Sequence, residues 1–193
     1  MIGSLVKPDI IADKLVRFPS VLYKGIELIE CATTTRSEWR PVQWLGPNNP
    51  VRYDAEVLIE DTNNPGYGEY SVWGSFCISL YIELFGLVIN PLQLMQYKEG
   101  QLDNRLHLTR QEEGAYIGPN VDEDIIGVSG LYTVMFFHNN DYDGGELVFP
   151  ELDYKVRPGM GDIYIFPSEY PYESDPIKSG VRFLSSFKFK AES

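Results

Sequence analysis

The chain has 193 residues, 44% of them hydrophobic, which is the size and apolar content of one packed domain with a real core. Its 16 Lys and Arg stand against 28 Asp and Glu, and the formal charge of −12 has the wrong sign for a phosphate backbone or an anionic membrane face. Nucleic-acid and membrane partners are therefore not expected. The absence of an apolar run of about 18 residues, or of a basic stretch ahead of an apolar one at the N-terminus, predicts a soluble, uncleaved protein.

Val21, Leu22, Ile26 and Ile29 recur at near-helical spacing after Ser20, which predicts a first helix with Ser20 as its N-cap and Gly25 as a weak point. Residues 39–44 and 51–59 read as strands around the turn Gly46-Pro47-Asn48-Asn49-Pro50, and 61–68 as a loop. A second helix is predicted from Ser71. Its Trp73, Phe76, Cys77, Leu80 and Leu84 form an apolar stripe that packs on a sheet, and Gly86 ends it. The two cysteines, Cys31 and Cys77, both lie among apolar neighbours and read as reduced core thiols rather than a bridge.

From Pro91 onward strand signals dominate, over 92–97, 131–138, 146–149, 154–156, 162–166 and 181–189. Turn residues separate them, notably 139–145 and Pro158-Gly159, with Gly144 and Gly145 supplying the positive φ of a tight hairpin. Many short strands with such punctuation indicate a sandwich or jelly roll rather than a parallel sheet. The expected fold class is α+β, mainly β. The expected organisation is a single domain over 1–193, with a helix-strand-helix supporting part in 1–90 and the jelly-roll core in 91–193.

Four features in the second half carry more. They are Asn120-Val121-Asp122, Asp143-Gly144-Gly145-Glu146, Tyr172, and Arg182 ten positions later. Between them lie the run 131–137 and the segment Arg157-Pro158-Gly159-Met160-Gly161-Asp162, followed by Ile163-Tyr164-Ile165-Phe166-Pro167. In order and spacing this half resembles the catalytic half of the prolyl-4-hydroxylase-like 2-oxoglutarate/Fe(II)-dependent dioxygenases, where a His-x-Asp pair, a Gly-Gly turn, a distal His and a later basic residue hold iron and 2-oxoglutarate. The resemblance implies a double-stranded β-helix with N-terminal supporting helices. It makes Asn120, Asp122 and Tyr172 the metal positions and Arg182 the position that grips the cosubstrate's distal carboxylate. The wording around Gly118-Pro119-Asn120-Val121-Asp122-Glu123 is also similar to phage-type members.

Such iron centres need two imidazoles and one carboxylate. Neither imidazole position holds a histidine. Of the two histidines in the chain, His107 falls near the first-ligand region but lacks a partner carboxylate, and His138 falls at the end of a strand; both read as structural or solvent-facing. Asn120 with Asp122 offers oxygen donors, which suit magnesium or calcium better, and a tyrosine must lose a proton from a phenol of ordinary pKa near 10 to bind a metal. Residues 120–124 therefore read either as an acidic surface turn or as a weak site for a hard cation. Arg182 reads either as a bidentate carboxylate clamp or as a partner in an internal salt bridge or a strand residue facing solvent. Phe137 lacks the hydroxyl that the family often places nearby.

These residues lead to the expectation of a catalytically inactive pseudoenzyme with no cofactor, acting as a structural or interaction subunit with protein partners in a larger assembly, such as a phage particle. Its localisation would be the virion or the host cytoplasm, and Tyr170 and Tyr172 would serve as contact residues. The alternatives are an active Fe(II)/2-oxoglutarate hydroxylase with atypical ligands, for example His107 with Asp122, and a cupin-like small-molecule binder in which Arg182 reads an anion.

Overall fold

The computed structural model describes residues 6–21, 29, 40–41, 54–59, 65–89, 96–98, 101–103, 106–122 and 130–191. In chain order the elements are β1 (Asp9–Ala12), β2 (Leu15–Phe18), β3 (Arg40–Pro41), β4 (Asp54–Ile59), helix α1 (Pro65–Phe85), β5 (Gln96–Lys98), β6 (Gln101–Asp103), β7 (Leu106–Gln111), β8 (Leu131–Phe137), β9 (Asp143–Gly144), β10 (Leu147–Phe149), β11 (Tyr154–Val156), β12 (Ile163–Pro167), β13 (Glu173–Ser174), β14 (Ile177–Ser179) and β15 (Arg182–Lys190). An eight-stranded sheet runs β1-β2-β12-β8-β15-β7-β4-β3, and smaller antiparallel sheets form from β11-β10-β13 and β14-β9. The architecture is mainly β and antiparallel, as the strand spacing predicts.

Strand β8 sits at the centre because every residue of Leu-Tyr-Thr-Val-Met-Phe-Phe is buried, as an interior strand covered on both faces requires. Strict alternation sorts its side chains. Tyr132, Val134 and Phe136 join the core beneath α1, together with Ile163, Ile165, Phe187 and Phe189. Met135 and Phe137 face the opposite way, into a second core with Leu147, Phe149, Tyr164, Phe166 and Tyr172. The second core takes in Tyr172, a residue of the candidate site.

Helix α1 buries Cys77, Ile78 and Tyr81, a three- and four-residue spacing that puts them on one face. It begins at Pro65, so Ser71 lies inside the helix and is not its cap; proline at the first helical position loses no hydrogen bond, which makes it an effective start. Leu84, expected in the apolar stripe, is 42% exposed. Gly74 has a packing reason, since a Cβ there would approach Phe136 to 3.1 Å. The helix ends as predicted: Gly86 takes φ +61, and the Leu87 amide donates to the Ile82 carbonyl at 3.0 Å, a Schellman closure. Burial pushes the Cys77 thiol up to about 12. Native protein at pH 8 should therefore resist alkylation at Cys77 under conditions that alkylate it fully in urea; equal rates in the two states would count against this packing.

The helix expected after Ser20 lies outside the described residues, Ile29 apart. Ser20 itself is in a left-handed turn at φ +51, not in the extended conformation of an N-cap, and its amide donates to Asp162 at 3.1 Å. The hairpin β1–β2 was not foreseen. It adds to the edge of the large sheet through β12, held by Asp162, which is fully buried and accepts from Arg17 at 3.0 Å and from the Gly159 amide at 2.8 Å.

His138 is fully buried, so the solvent-facing option for it fails. Its Nε2 lies 2.8 Å from Ser185 Oγ. Burial lowers its pKa to about 3, against an ordinary value near 6.5. The unfolded chain therefore takes up a proton between about pH 6.5 and 3 that the folded chain refuses. Stability from this group is present above pH 6.5 and is lost as pH falls, by up to about tenfold in the folding equilibrium per pH unit. Urea unfolding of the unmodified chain and His138→Gln at pH 7 and pH 5 should show the shallower pH dependence in the variant; equal dependence would mean that His138 titrates normally.

Candidate functional site

Two distant segments are joined at Asn120 and Tyr172, which form an isolated antiparallel bridge. Each backbone amide donates to the other's carbonyl at 3.0 Å. Directly paired residues of antiparallel chains point their side chains to the same face, and the Asn120 amide nitrogen donates to the Tyr172 hydroxyl oxygen at 2.8 Å.

Both side chains meet Asp122. Asn120 Nδ2 donates to its Oδ1 at 2.9 Å, and the Tyr172 hydroxyl donates to the same oxygen at 3.0 Å. On the other oxygen, Thr133 Oγ1 donates at 2.7 Å. Because the single Thr133 proton is committed there, Ser168 Oγ, 2.8 Å away, is the donor to Thr133. Lys188 Nζ stands 3.4 Å from Oδ2. Thr133 and Lys188 are register partners on β8 and β15, so the sheet presents them to Asp122 side by side.

The structure thus brings together the three residues singled out as metal positions. It also corrects two expectations about them. Asp122 is 4% exposed, so it does not belong to an acidic surface turn; Glu123 and Asp124 lie outside the described residues. Tyr172 is buried among the rings of Phe149 and Phe166, with centroids at 6.3 and 5.4 Å, so it offers no contact surface. Tyr170 is partly buried, and its hydroxyl donates to the Asp13 carbonyl at 2.6 Å.

Arg182 is fully buried, which removes the solvent-facing option. Its Nε donates to Gln111 Oε1 at 2.6 Å, its Nη1 to the Gly145 carbonyl at 2.6 Å and its Nη2 to Ser174 Oγ at 3.1 Å. Its guanidinium also lies 5.9 Å from the centroid of the Phe137 ring. Gly144 and Gly145 adopt φ +75 and +69, as the hairpin reading requires. The close approach of Arg182 adds a second reason for glycine, since a Cβ on Gly145 would lie 3.0 Å from Nη1. Arg182 and Lys188 are six positions apart on β15, about 20 Å along the strand. His107 is on β7, with its backbone paired to Leu58. Lys188, Thr133 and Ser168 were missed by sequence reasoning. The signal for Lys188 was its place between Phe187 and Phe189, an even number of positions after Arg182 and hence on the same face of the strand.

No protein-family model matches the chain. It is 31% identical over 85 residues to a PKHD-type hydroxylase of Idiomarina loihiensis, an alignment covering 40% of this chain and 38% of that protein. The chain spans less than half the length of the PKHD-type hydroxylases it matches. Among solved structures, the viral collagen prolyl hydroxylase of Paramecium Bursaria Chlorella virus-1, in its 2OG complex, superposes with a TM-score of 0.64 at 15% identity, covering 93% of this chain and 97% of that one. An oxidoreductase of the 2OG-Fe(II) oxygenase family from Burkholderia pseudomallei gives 0.61 at 15% identity, covering 92% and 85%. The fold is the one seen in these prolyl hydroxylase and 2OG-Fe(II) oxygenase structures, and part of the chain is similar in sequence to PKHD-type hydroxylases.

These similarities overturn two expectations. The relatives carry the names of hydroxylases, which points to an enzyme and not to a pseudoenzyme. A cofactor-free protein conflicts equally with neighbours described as 2OG-Fe(II) oxygenases. The inactive reading rested on residue identities at two positions.

As they stand, the residues at the three metal positions do not fit the two-imidazole, one-carboxylate set. Asn120 and Tyr172 both spend hydrogens on the carboxylate that would bind the metal. Among the described residues no three His, Cys, Asp or Glu side chains come together. No step through iron follows from this geometry. Nor is any helix among the described residues long and apolar enough to cross a membrane.

Proposed function

We propose that the chain is a hydroxylase-type oxygenase of the prolyl-4-hydroxylase-like class that works with an atypical ligand set centred on Asp122. The observation that supports this most directly is the meeting of positions 120, 122 and 172 at one buried carboxylate. That is where the family resemblance puts its metal ligands. The names of the relatives point the same way, while the role of a structural subunit in a particle finds no support in them. The set would be built from oxygen donors, Asp122 with the Asn120 amide and the Tyr172 phenol as neighbours, so hard divalent cations belong in its assay beside iron.

The test is succinate release from 2-oxoglutarate, with Fe(II), Mn(II) and Mg(II) supplied separately under oxygen. Metal-dependent succinate that disappears in Asp122→Asn is the expected result. Asn120→His with Tyr172→His provides the comparator that holds two imidazoles. Succinate from that double variant alone, with the unmodified chain no better than Asp122→Asn, would overturn the proposal.

A further inference from the structure

The tip of the β1–β2 hairpin is tied to the molecule on two sides. The Tyr170 hydroxyl donates to the Asp13 carbonyl at 2.6 Å, and the Tyr81 hydroxyl of α1 donates to the Lys14 carbonyl at 2.7 Å. Lys14 itself is held at φ +55, a left-handed conformation that lysine seldom takes and that persists only where the surroundings fix it. Strand β2 is anchored independently, since Leu15, Val16 and Phe18 are fully buried and Arg17 is paired with Asp162. Strand β1 is not. It is the outermost strand of the large sheet, pairs only with β2 among the described residues, and leaves Asp9 and Ile10 exposed. Four residues with one neighbour and little burial open at low cost.

Tyr170 belongs to the turn of residues 168–172 that joins β12 to β13. That turn supplies two groups to the Asp122 cluster: Tyr172, which donates to Asp122 at 3.0 Å, and Ser168, which donates to Thr133 at 2.8 Å. Ile11 and Ala12 of the hairpin pack, like Tyr170, against the second core, of which Tyr172 is a member. We infer that β1 and the hairpin tip form a strap over the candidate site. Closed, the strap fastens the 168–172 turn through Tyr170, keeps Tyr172 and Ser168 in the cluster, and covers part of the second core. Released, it frees the turn and uncovers the apolar wall that Ile11 and Ala12 had covered. Tyr170 is thereby a positioning residue for Tyr172. The strap is independent of the hydroxylase proposal, because it involves neither metal nor cosubstrate.

Native-state hydrogen exchange tests this in the unmodified chain, Tyr170→Phe, Lys14→Val and the double variant, with melting curves to confirm folding. The amides of Ser168, Tyr170 and Tyr172, which donate to the carbonyls of Leu131, Pro167 and Asn120, read the turn; those of β1 read the strap, and those of β8 read opening of the whole domain. In the unmodified chain, strap and turn should exchange about tenfold or more faster than β8. Tyr170→Phe removes one hydrogen bond and should speed exchange in the turn by about threefold or more. Lys14→Val places a β-branched residue at positive φ and should speed both strap and turn, although neither Tyr170 nor the cluster is altered; Lys14→Ala serves if the valine variant does not fold. In the double variant, valine should still loosen the strap but add nothing in the turn, because the link between them is gone. Valine that speeds the turn equally with and without the Tyr170 hydroxyl would mean general destabilisation and overturn the inference. A turn that exchanges no faster than β8, or that Tyr170→Phe leaves unchanged, would overturn it as well.

Discussion

Replacing Asp122 by alanine is expected to destabilise the fold by about 3 to 5 kcal/mol, the range for breaking a buried ion pair by removing one partner. Three donors lose their acceptor at once, from Asn120, Tyr172 and Thr133, and the largely buried Lys188 side chain loses its carboxylate partner. The Asn120–Tyr172 bridge is made by backbone groups that the substitution does not remove, so the loss is expected to measure the side-chain cluster and not the strand pairing. The double variant Asp122→Ala, Lys188→Met should recover part of it, since no unpaired charge remains. Urea unfolding of the unmodified chain and the two variants checks this. A single Asp122→Ala variant within about 1 kcal/mol of the unmodified chain would show that the cluster is loosely held and open to water.

What could be read in advance depended on how locally each feature is encoded. The central strand β8 was legible because seven successive apolar or β-branched residues admit little else, and the end of α1 because Gly86 is the residue that accepts a left-handed C-cap. Strand β7 was not legible. Leu-His-Leu-Thr-Arg-Gln reads as amphipathic surface, yet it lies between β15 and β4, with Thr109 opposite Leu184 and Gln111 opposite Arg182. Gln111 is buried because it partners a buried arginine, a fact set by a segment some seventy residues away. The β1–β2 hairpin was missed for a similar reason. Its strands are four residues each; β1 is largely exposed, and what holds the hairpin is the burial of Leu15, Val16 and Phe18 on β2 together with the reach of Arg17 to Asp162.

At the candidate site, the three positions singled out by motif order, Asn120, Asp122 and Tyr172, lie together, and the bridge between 120 and 172 explains why residues 52 apart meet. Identity alone misled on activity, because two substituted positions were weighed against nothing else in the chain. Burial of Asp122 could not be read from Asn-Val-Asp-Glu-Asp, since an acidic run usually signals solvent. It comes from Thr133 and Lys188, which approach from two strands of the large sheet.

Arg182→Met is expected to cost about 3 kcal/mol or more without any ligand present, because three buried acceptors lose their donor and each unsatisfied one costs about 1 to 3 kcal/mol. Methionine fills much of the volume and keeps contact with Phe137, so a cavity contributes little. Ser174 is the most tolerant of the three, since its hydroxyl oxygen still accepts the Ile117 amide at 2.9 Å. Gln111 and the Gly145 carbonyl carry most of the loss, each having a contact of 2.6 Å to the guanidinium. Lysine is no substitute, because one ammonium cannot span Gln111, Gly145 and Ser174 as the planar fork does; Arg182→Lys should fall between the two. The same variants separate a structural arginine from a cosubstrate clamp. If Arg182 also grips the distal carboxylate, 2-oxoglutarate at a hundred times its dissociation constant should raise the stability of the unmodified chain by about 2.7 kcal/mol, and that rise should vanish in Arg182→Met. A methionine variant as stable as the unmodified chain in the absence of ligand would mean that the three hydrogen bonds contribute nothing net, and would leave carboxylate binding as the reason for a buried arginine at this position.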